Sequence, residues 1–321
     1  MIIVTGGAGF IGSNLVHGLN ARGHNDIVVV DDLTDGMKFL NIREAQISNY
    51  LDRDAFLDWL VENGDEGIDA IFHLGACSDT TERNGRFMME NNYEFSRQTF
   101  EIALAYKIPF IYASSAAVYG QNGSFGEVIG AEKPLNVYGY SKALFDRYVA
   151  RRVQYAESQV AGLRYFNVYG PREGHKGRMA SIVRHHFRQI NADGVVRLFE
   201  GAYGYGPGEQ RRDFLHVRDA VRVNLWLLDN PSIRGLFNCG TGAAESFNEV
   251  ARSVIAHRGN GKIEYIPFPD DLRGVYQSYT EADLTALRAA GYTEKFTSVA
   301  EGVSLYMHWL DKHGDLDAAD G

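Results

Sequence analysis

A glycine pattern directly behind a short apolar strand constrains the fold of this chain most. Residues 2–4 are apolar and run into residues 5–12, where glycine stands at positions 6, 9 and 12, and apolar residues then recur at helical spacing. Strand, glycine turn and helix in this order are typical of a dinucleotide-binding site. Gly6 permits the tight turn, Gly9 lets the backbone approach a pyrophosphate, and Gly12 lets helix and strand pack closely. The sequence therefore predicts that the phosphates of a dinucleotide lie on the N-terminus of the first helix.

Apolar, strand-like runs alternate with helical patterns over about the first 165 residues. The runs that follow the first one cover residues 27–31, 69–77, 108–113 and 159–165. This alternation predicts an α/β fold with a doubly wound parallel sheet, Rossmann-like, whose ligand lies at the carboxyl ends of the strands. A helix near 88–105, with Asn91 near its start, belongs to the same pattern.

The chain then returns once to this first domain. Short strands are predicted at 214–217 and 236–240, on either side of a helix near 220–228. We therefore predict a dinucleotide-binding domain formed by residues 1–165 plus about 214–240.

The remaining residues are expected to form a second, smaller α/β domain that binds the substrate. It comprises about 166–213 plus 241–314, with helices near 247–257 and 299–310. Residues 315–321 show no periodicity, so we predict a disordered tail there.

Tyr138 and Lys142 are four residues apart on a helix predicted to begin near Tyr138, so they share one helix face. A phenol titrates near ~10 in water, but an ammonium within reach favours the phenolate and lowers that pKa. The pair is therefore a candidate general acid/base, although an isolated pair with this spacing is more often an exposed aromatic beside a helix lysine. Ser115 follows the strand at 108–113 and is expected at the same sheet edge as the glycine turn.

Asp31 ends the second apolar run, 19 residues after Gly12. An acid there normally bonds the ribose 2′-hydroxyl and selects NAD over NADP, yet Asp31 and Asp32 would serve equally well as strand-end turn residues. Lys38 and Arg53 further along supply positive charge that suits the 2′-phosphate of NADP. The residues alone leave the choice between NAD and NADP open.

Small residues follow the run that contains His73, which we interpret as a hydrogen-bonded strand-end histidine without a catalytic role. Small side chains let the chain pass close to adenine or ribose, and plain helix–sheet packing would explain them equally well. The cofactor contacts predicted here are Leu74, Gly75, Ala76, Cys77 and Ser78.

Composition excludes several classes of protein. The net charge of −9 argues against a nucleic-acid or acidic-membrane partner, since both call for concentrated positive charge. Cys77 and Cys239 are far apart, so neither a disulfide framework nor a metal site is indicated. The start of the chain already reads as a strand rather than a signal peptide, and no apolar run approaches ~18 residues. We expect a cytoplasmic protein.

Taken together, the motifs resemble the extended short-chain dehydrogenase/reductase family, whose members work on nucleotide sugars. The glycine pattern, Ser115, the Tyr138/Lys142 pair, the run 167–172 and the run 212–214 occur in the order of that family. Within it, three runs are most similar to the epimerases that act on ADP-heptose in lipopolysaccharide core synthesis. These are residues 1–14, 165–177 and 263–269.

The resemblance implies an isomerase that inverts carbon 6 of the heptose in ADP-D-glycero-D-manno-heptose by transient oxidation and re-reduction through a tightly bound NADP. It assigns Tyr138 as the base, Lys142 as the residue that holds the nicotinamide ribose and tunes Tyr138, and Ser115 as the partner of the reacting hydroxyl. Lys176 becomes a second acid/base, although without the resemblance it would read as a solvated loop lysine. A homo-oligomer, with a pentamer suggested, is implied as well.

The resemblance also implies a set of ligand contacts. For the cofactor these are Phe10, Ile11, Asp31, Asp32, Lys38, Arg53, Asn91, Lys142, Val168 and Lys176. For the sugar nucleotide they are Ser115, Asn167, Arg178, His185, Phe199, Glu200, Gly201, Ala202, Arg212 and Tyr276. Arg212 suits a diphosphate because a guanidinium fork matches its geometry. Arg178 stands where a small residue is expected, and the loop 202–211 is longer than the family needs.

Three other functions are compatible with parts of the pattern. A 4,6-dehydratase needs an extra acid beside the catalytic serine, where this chain has Ala116 and Ala117. A UDP-hexose 4-epimerase or another nucleotide-sugar oxidoreductase is disfavoured by the run 174–176. A dinucleotide sensor without catalysis would usually lose the Tyr138/Lys142 pair, which is retained.

Overall fold

The computed structural model describes residues 1–121, 123, 125–270, 274 and 276–315. Its strands are β1 (Ile2–Thr5), β2 (Ile27–Asp31), β3 (Asn49–Asp52), β4 (Ala70–His73), β5 (Phe110–Ser115), β6 (Val160–Tyr165), β7 (Asn167–Tyr169), β8 (Val195–Phe199), β9 (Arg211–His216), β10 (Gly235–Cys239), β11 (Ala244–Ser246) and β12 (Lys262–Ile266). Its helices are α1 (Phe10–Ala21), α2 (Arg53–Asn63), α3 (Gly85–Met88), α4 (Phe95–Ala105), α5 (Val137–Arg152), α6 (Ile182–Asp193), α7 (Val217–Asp229), α8 (Phe247–Arg258), α9 (Thr285–Ala289) and α10 (Val299–His313).

Seven strands form the main sheet in the order β10-β6-β5-β4-β1-β2-β3, and each neighbouring pair runs parallel. The direction of winding reverses beside β1, which pairs with β2 on one side and β4 on the other. Such a switch point opens a crevice at the carboxyl ends of the strands, where ligands bind. The predicted α/β fold with a doubly wound, Rossmann-like parallel sheet is therefore confirmed.

The central strands are long apolar runs because both faces of the sheet are covered. Successive residues of β1 alternate between two cores, since side chains of a strand point to opposite faces. Ile2 and Val4 pack with α1 and α7, whereas Ile3 packs with α2, α4 and α5.

A smaller lobe adjoins the sheet. It contains the three-stranded sheet β11-β9-β7 and the parallel pair β12-β8. Its core is built mainly from α6, α8 and α10.

Of the two short strands predicted to return to the first domain, β10 pairs with β6 in the main sheet. The other, β9, instead pairs with β7 and β11. The division into two domains itself stays a prediction.

The helix predicted near 88–105 runs from Gly85 to Ala105 and contains a π-helical segment, Met89–Glu94. This segment carries Asn92, whose side-chain oxygen accepts from the Cys77 backbone N–H at 2.8 Å and whose amide donates to the Cys77 carbonyl at 2.9 Å. The wide turn thereby fixes the loop that follows β4. Single π-turns are frequent at functional sites, where they aim side chains.

The predicted disordered tail at 315–321 needs one correction. Asp315 is part of the packed structure, because its carboxylate forms ion pairs with Arg184 and Arg188 of α6. Residues 316–321 lie outside the described residues. In the ranges that the structure describes, no helix is long and apolar enough to cross a membrane.

Candidate active site

A cavity of about 770 Å³ lies at the carboxyl ends of the main strands, beside the smaller lobe. Most of the predicted site residues line it. Those that do are Gly6, Gly9, Phe10, Ile11, Gly12, Asp31, Asp32, Lys38, Arg53, Leu74, Gly75, Ala76, Cys77, Ser78, Asn91, Ser115, Tyr138, Lys142, Asn167, Val168 and Lys176. The structure thus brings together residues separated by up to 170 positions in the sequence.

The glycine turn has the shape of a phosphate cradle. Gly6 has φ +67°, and a Cβ there would lie 2.7 Å from the backbone of Gly75. A Cβ on Gly12 would lie 2.0 Å from the Gly6 carbonyl oxygen, whereas one on Gly9 would meet only that oxygen, at 3.1 Å. No side chain of the described residues caps the N-terminus of α1. Its first N–H groups are available to an anion, so these residues fit the pyrophosphate of a dinucleotide.

Positive charge lies at the end of β2. The Asp31 carboxylate accepts from the Ala8 and Asp32 backbone N–H groups, each at 2.8 Å, and also pairs with Lys38. Lys38 donates further to the Asp32 carbonyl at 2.7 Å. Arg53 donates to the Asn91 side-chain oxygen and forms an ion pair with Asp54 at 3.1 Å. The charge of Asp31 is thus balanced by Lys38, and Arg53 is a second cation that lines the cavity.

Tyr138 lies in the first turn of α5, where Asn136 caps the helix by accepting from the Gly139 N–H at 2.8 Å. The Tyr138 side chain is half-buried and lines the cavity together with Ser115, at the end of β5. Burial raises the pKa of Tyr138 above its ordinary value, while the Ser115 hydroxyl acts in the opposite direction. Ser115 therefore favours the phenolate that a general base needs.

Lys142 is buried and donates from Nζ to the Ala113 carbonyl at 2.8 Å. Burial lowers its pKa to about 8, with the charge of Asp146 acting against that shift. The sequence predicted that Lys142 lowers the pKa of Tyr138, and the structure differs. The net shift of Tyr138 is upward because burial outweighs the other effects and Lys142 is bonded to Ala113.

Lys176 lies in a 3₁₀ turn, Gly174–Met179, that reaches the cavity from the start of the smaller lobe. Its backbone N–H donates to the Glu173 carbonyl at 3.1 Å, and its Nζ lies 5.2 Å from the centre of the Phe10 ring. Burial lowers the pKa of Lys176, with Glu173 acting against the shift. Lys176 is therefore not the solvated loop lysine of the alternative interpretation. A lowered pKa eases proton exchange by this amine.

Among the predicted sugar-nucleotide contacts, only Ser115 and Asn167 line the cavity itself. Arg212 lies one layer behind it, with its guanidinium 4.8 Å from the centre of the Tyr276 ring and 5.7 Å from that of Phe247, which does line the cavity. Burial lowers the pKa of Arg212.

The other predicted sugar-nucleotide contacts do not line the cavity. The Arg178 side chain is 72% exposed and is held at the surface by Asp79, at 3.3 Å, and by Thr81. The Nε2 atom of His185 lies 3.2 Å from the Arg178 carbonyl. The segment 199–202 follows β8 and does not contribute to the cavity lining.

Several lining residues were not singled out from the sequence. They include Asp79, Thr80, Phe87, Ser114, His175, Ile182, Phe214 and Phe247. Phe214 belongs to the run 212–214 and could have been found there. Ile182 begins α6, a helix that the sequence analysis did not predict.

Comparison with known proteins agrees with this architecture. The model of the NAD dependent epimerase/dehydratase family matches residues 2–240. The ADP-L-glycero-D-manno-heptose-6-epimerase of Alkalilimnicola ehrlichii is 59% identical over 310 residues, which cover 96% of each chain. The crystal structure of the Helicobacter pylori enzyme of that name is 31% identical, with a TM-score of 0.82 over 97% of this chain and 96% of that chain. The UDP-glucose 4-epimerase of Thermotoga maritima, solved with UDP-glucose, is 27% identical, with a TM-score of 0.80 over 97% of this chain and 98% of that chain. The chain therefore belongs to the NAD dependent epimerase/dehydratase family.

Proposed function

We propose that this enzyme is an isomerase that inverts carbon 6 of the heptose in ADP-D-glycero-D-manno-heptose, giving ADP-L-glycero-D-manno-heptose, a precursor of the lipopolysaccharide core. One observation carries the proposal: Tyr138, Ser115 and Lys176 line the same cavity as the phosphate cradle. The 59% identity to an epimerase of that name supports the choice of substrate.

The reaction requires two proton-handling groups. The nicotinamide of a bound dinucleotide supplies the redox chemistry, because it can accept a hydride from carbon 6 and return one. Tyr138 takes the proton of the carbon 6 hydroxyl as the alcohol becomes a ketone, and Ser115 hydrogen-bonds the same oxygen. General acid/base assistance of this kind typically contributes ~10²–10⁴-fold to the rate.

Inversion requires that the second hydride arrives at the opposite face of the ketone. The ketone must therefore rotate to present its opposite face to the hydride, and its oxygen then leaves the position beside Tyr138. Lys176 then donates the proton that converts the carbonyl oxygen back into a hydroxyl. Its position in the same cavity and its lowered pKa support this role.

The cofactor of this chain is proposed to be NADP rather than NAD. Lys38 and Arg53 both line the cavity, and Lys38 already neutralises Asp31, the residue that would otherwise repel a 2′-phosphate. We expect the dinucleotide released from the denatured protein to carry a 2′-phosphate, as measured by mass spectrometry. The matched variant Lys38→Ala should lose affinity for NADP more than for NAD. Recovery of NAD alone would reverse the assignment.

The substrate is tested by incubating the purified protein with ADP-D-glycero-D-manno-heptose and following the configuration at carbon 6 by NMR. We expect both epimers to appear and to reach the same ratio from either starting compound. UDP-glucose serves as the control, and its conversion to UDP-galactose without turnover of the heptose would favour a 4-epimerase instead.

A dehydratase is disfavoured by the turn that follows Ser115. Ala116 and Ala117 form this turn with Val118 and Tyr119, and neither alanine can protonate a leaving hydroxyl. We further propose that the enzyme works in the cytoplasm as a homo-oligomer, with a pentamer suggested. The family resemblance supports the assembly, and the free thiols of Cys77 and Cys239 suit a reducing compartment.

A further inference from the structure

We propose that Asp146 is a positioning residue for Lys142: through Ser114 it anchors the strand end that accepts the Lys142 hydrogen bond, and it places a buried carboxylate one helical turn from Lys142. The catalytic consequence rests on the proposed function, in which Lys142 supports Tyr138 and the nicotinamide ribose. The electrostatic claim about Asp146 and Lys142 stands by itself.

Asp146 lies one turn beyond Lys142 on α5, so the two side chains share a helix face. It is 1% exposed, and its Oδ2 atom accepts from Ser114 Oγ at 2.8 Å. Ser114 lies between Ala113, whose carbonyl accepts from Lys142 Nζ, and Ser115, which contacts Tyr138. A single carboxylate thus fixes the three-residue strand end that contacts both members of the Tyr138/Lys142 pair.

Asp146 is itself held in an ion network that is buried except at Arg147. Arg164 of β6 is 0% exposed and donates from Nε to Asp146 at 2.9 Å and from its terminal nitrogen to Glu132 at 2.7 Å. Arg147 completes the network with a contact to Glu132 at 3.0 Å. Burial raises the pKa of Asp146, and Arg164 acts against that shift. The ion pair with Arg164 favours the anionic form of the carboxylate.

The other groups that face Lys142 are uncharged, whereas Asp146 is an acidic group. His73 of β4 lies near Lys142, but burial lowers its pKa to about 3, and its two ring nitrogens contact Thr5 and Ser96, so it is neutral. The π-helical segment faces α5 with the uncharged Asn92.

Asp146 is surrounded by polar and charged side chains. Tyr112 and Ser114 of β5 and Arg164 of β6 face it, and the Tyr119 ring lies 4.9 Å from the Arg164 guanidinium. Among the described residues, Asp146 is the acidic group whose charge raises the pKa of Lys142, against a burial that lowers it to about 8. Loss of that charge must lower the pKa further, so Lys142 becomes neutral at a lower pH.

The test replaces the carboxylate with its uncharged isostere, D146N, and follows Lys142 directly. Protein labelled with ¹³Cε-lysine is titrated by NMR, and the Lys142 signal is assigned from its absence in K142R. We expect the titration midpoint of Lys142 to fall by about one pH unit or more, the effect of losing a close opposite charge. The alkaline limit of turnover should move to lower pH by the same amount.

Two matched variants separate charge from packing. E132Q removes a buried carboxylate of the same network that does not touch Lys142, and it should shift the midpoint less than D146N does. D146E keeps the charge and should restore most of the wild-type midpoint. D146S replaces D146N if the latter does not fold.

An unchanged Lys142 midpoint in D146N, or a shift in E132Q equal to that in D146N, would overturn the proposal. The NMR titration needs no substrate, so it measures the effect of Asp146 on the Lys142 midpoint even if the heptose is not turned over. Failure of the wild-type protein to epimerise would contradict the proposed function alone.

Discussion

Replacing Tyr138 with phenylalanine is expected to lower turnover of ADP-heptose by about 10²–10⁴-fold, the usual contribution of a general acid/base. The substitution removes only the phenol oxygen of a side chain that lines the cavity together with Ser115. The ring keeps its place at the start of α5, so the protein should fold and retain its dinucleotide. The measurement is the rate of epimerisation at carbon 6 together with the amount of dinucleotide per chain.

Tyr140→Phe provides the matched control. Tyr140 is two residues further along the same helix, and its side chain is 46% exposed rather than turned into the cavity. The same chemical change there should leave turnover within about twofold of wild type, as expected for a surface substitution away from the site. Equal turnover in the two variants would contradict the role of Tyr138.

Features of the site that depend on neighbouring residues in the sequence could be predicted. The strand, glycine turn and helix over residues 2–21 form one local unit whose glycines are required by close contacts, such as the approach of Gly12 to the Gly6 carbonyl. The spacing of Tyr138 and Lys142 likewise follows from the geometry of one helix. Parallel strands then bring both units to the same edge, so much of the cavity lining followed from fold class.

Features that depend on contacts between distant residues could not be predicted. The hydrogen bond of Lys142 with Ala113 spans 29 residues, and it is one reason why the predicted effect on Tyr138 differs from the structure. Arg178 contacts Asp79, a residue 99 positions earlier that itself lines the cavity. The buried contacts of Arg164 with Asp146 and Glu132 span 18 and 32 residues. Neither helical spacing nor the alternation of apolar residues indicates which distant residues will form such contacts.

The second large effect is expected for Lys176, where two substitutions distinguish proton transfer from charge. Lys176→Met should slow inversion by about 10²-fold or more, because no other group in the proposed mechanism returns the proton to the turned ketone. Lys176→Arg keeps the positive charge, but a guanidinium is not deprotonated in proteins and cannot take part in acid/base exchange.

If Lys176 transfers a proton, the arginine variant must be nearly as slow as the methionine variant, with the dinucleotide still bound in both. If it only supplies charge beside Phe10, the arginine variant must keep most of the wild-type rate, and the two-base mechanism is wrong. Lys262→Met, at an exposed position on β12, controls for the loss of a lysine elsewhere in the same lobe. Rates are compared from both epimers, because in the proposed mechanism each turnover in either direction uses Tyr138 on one face of carbon 6 and Lys176 on the other.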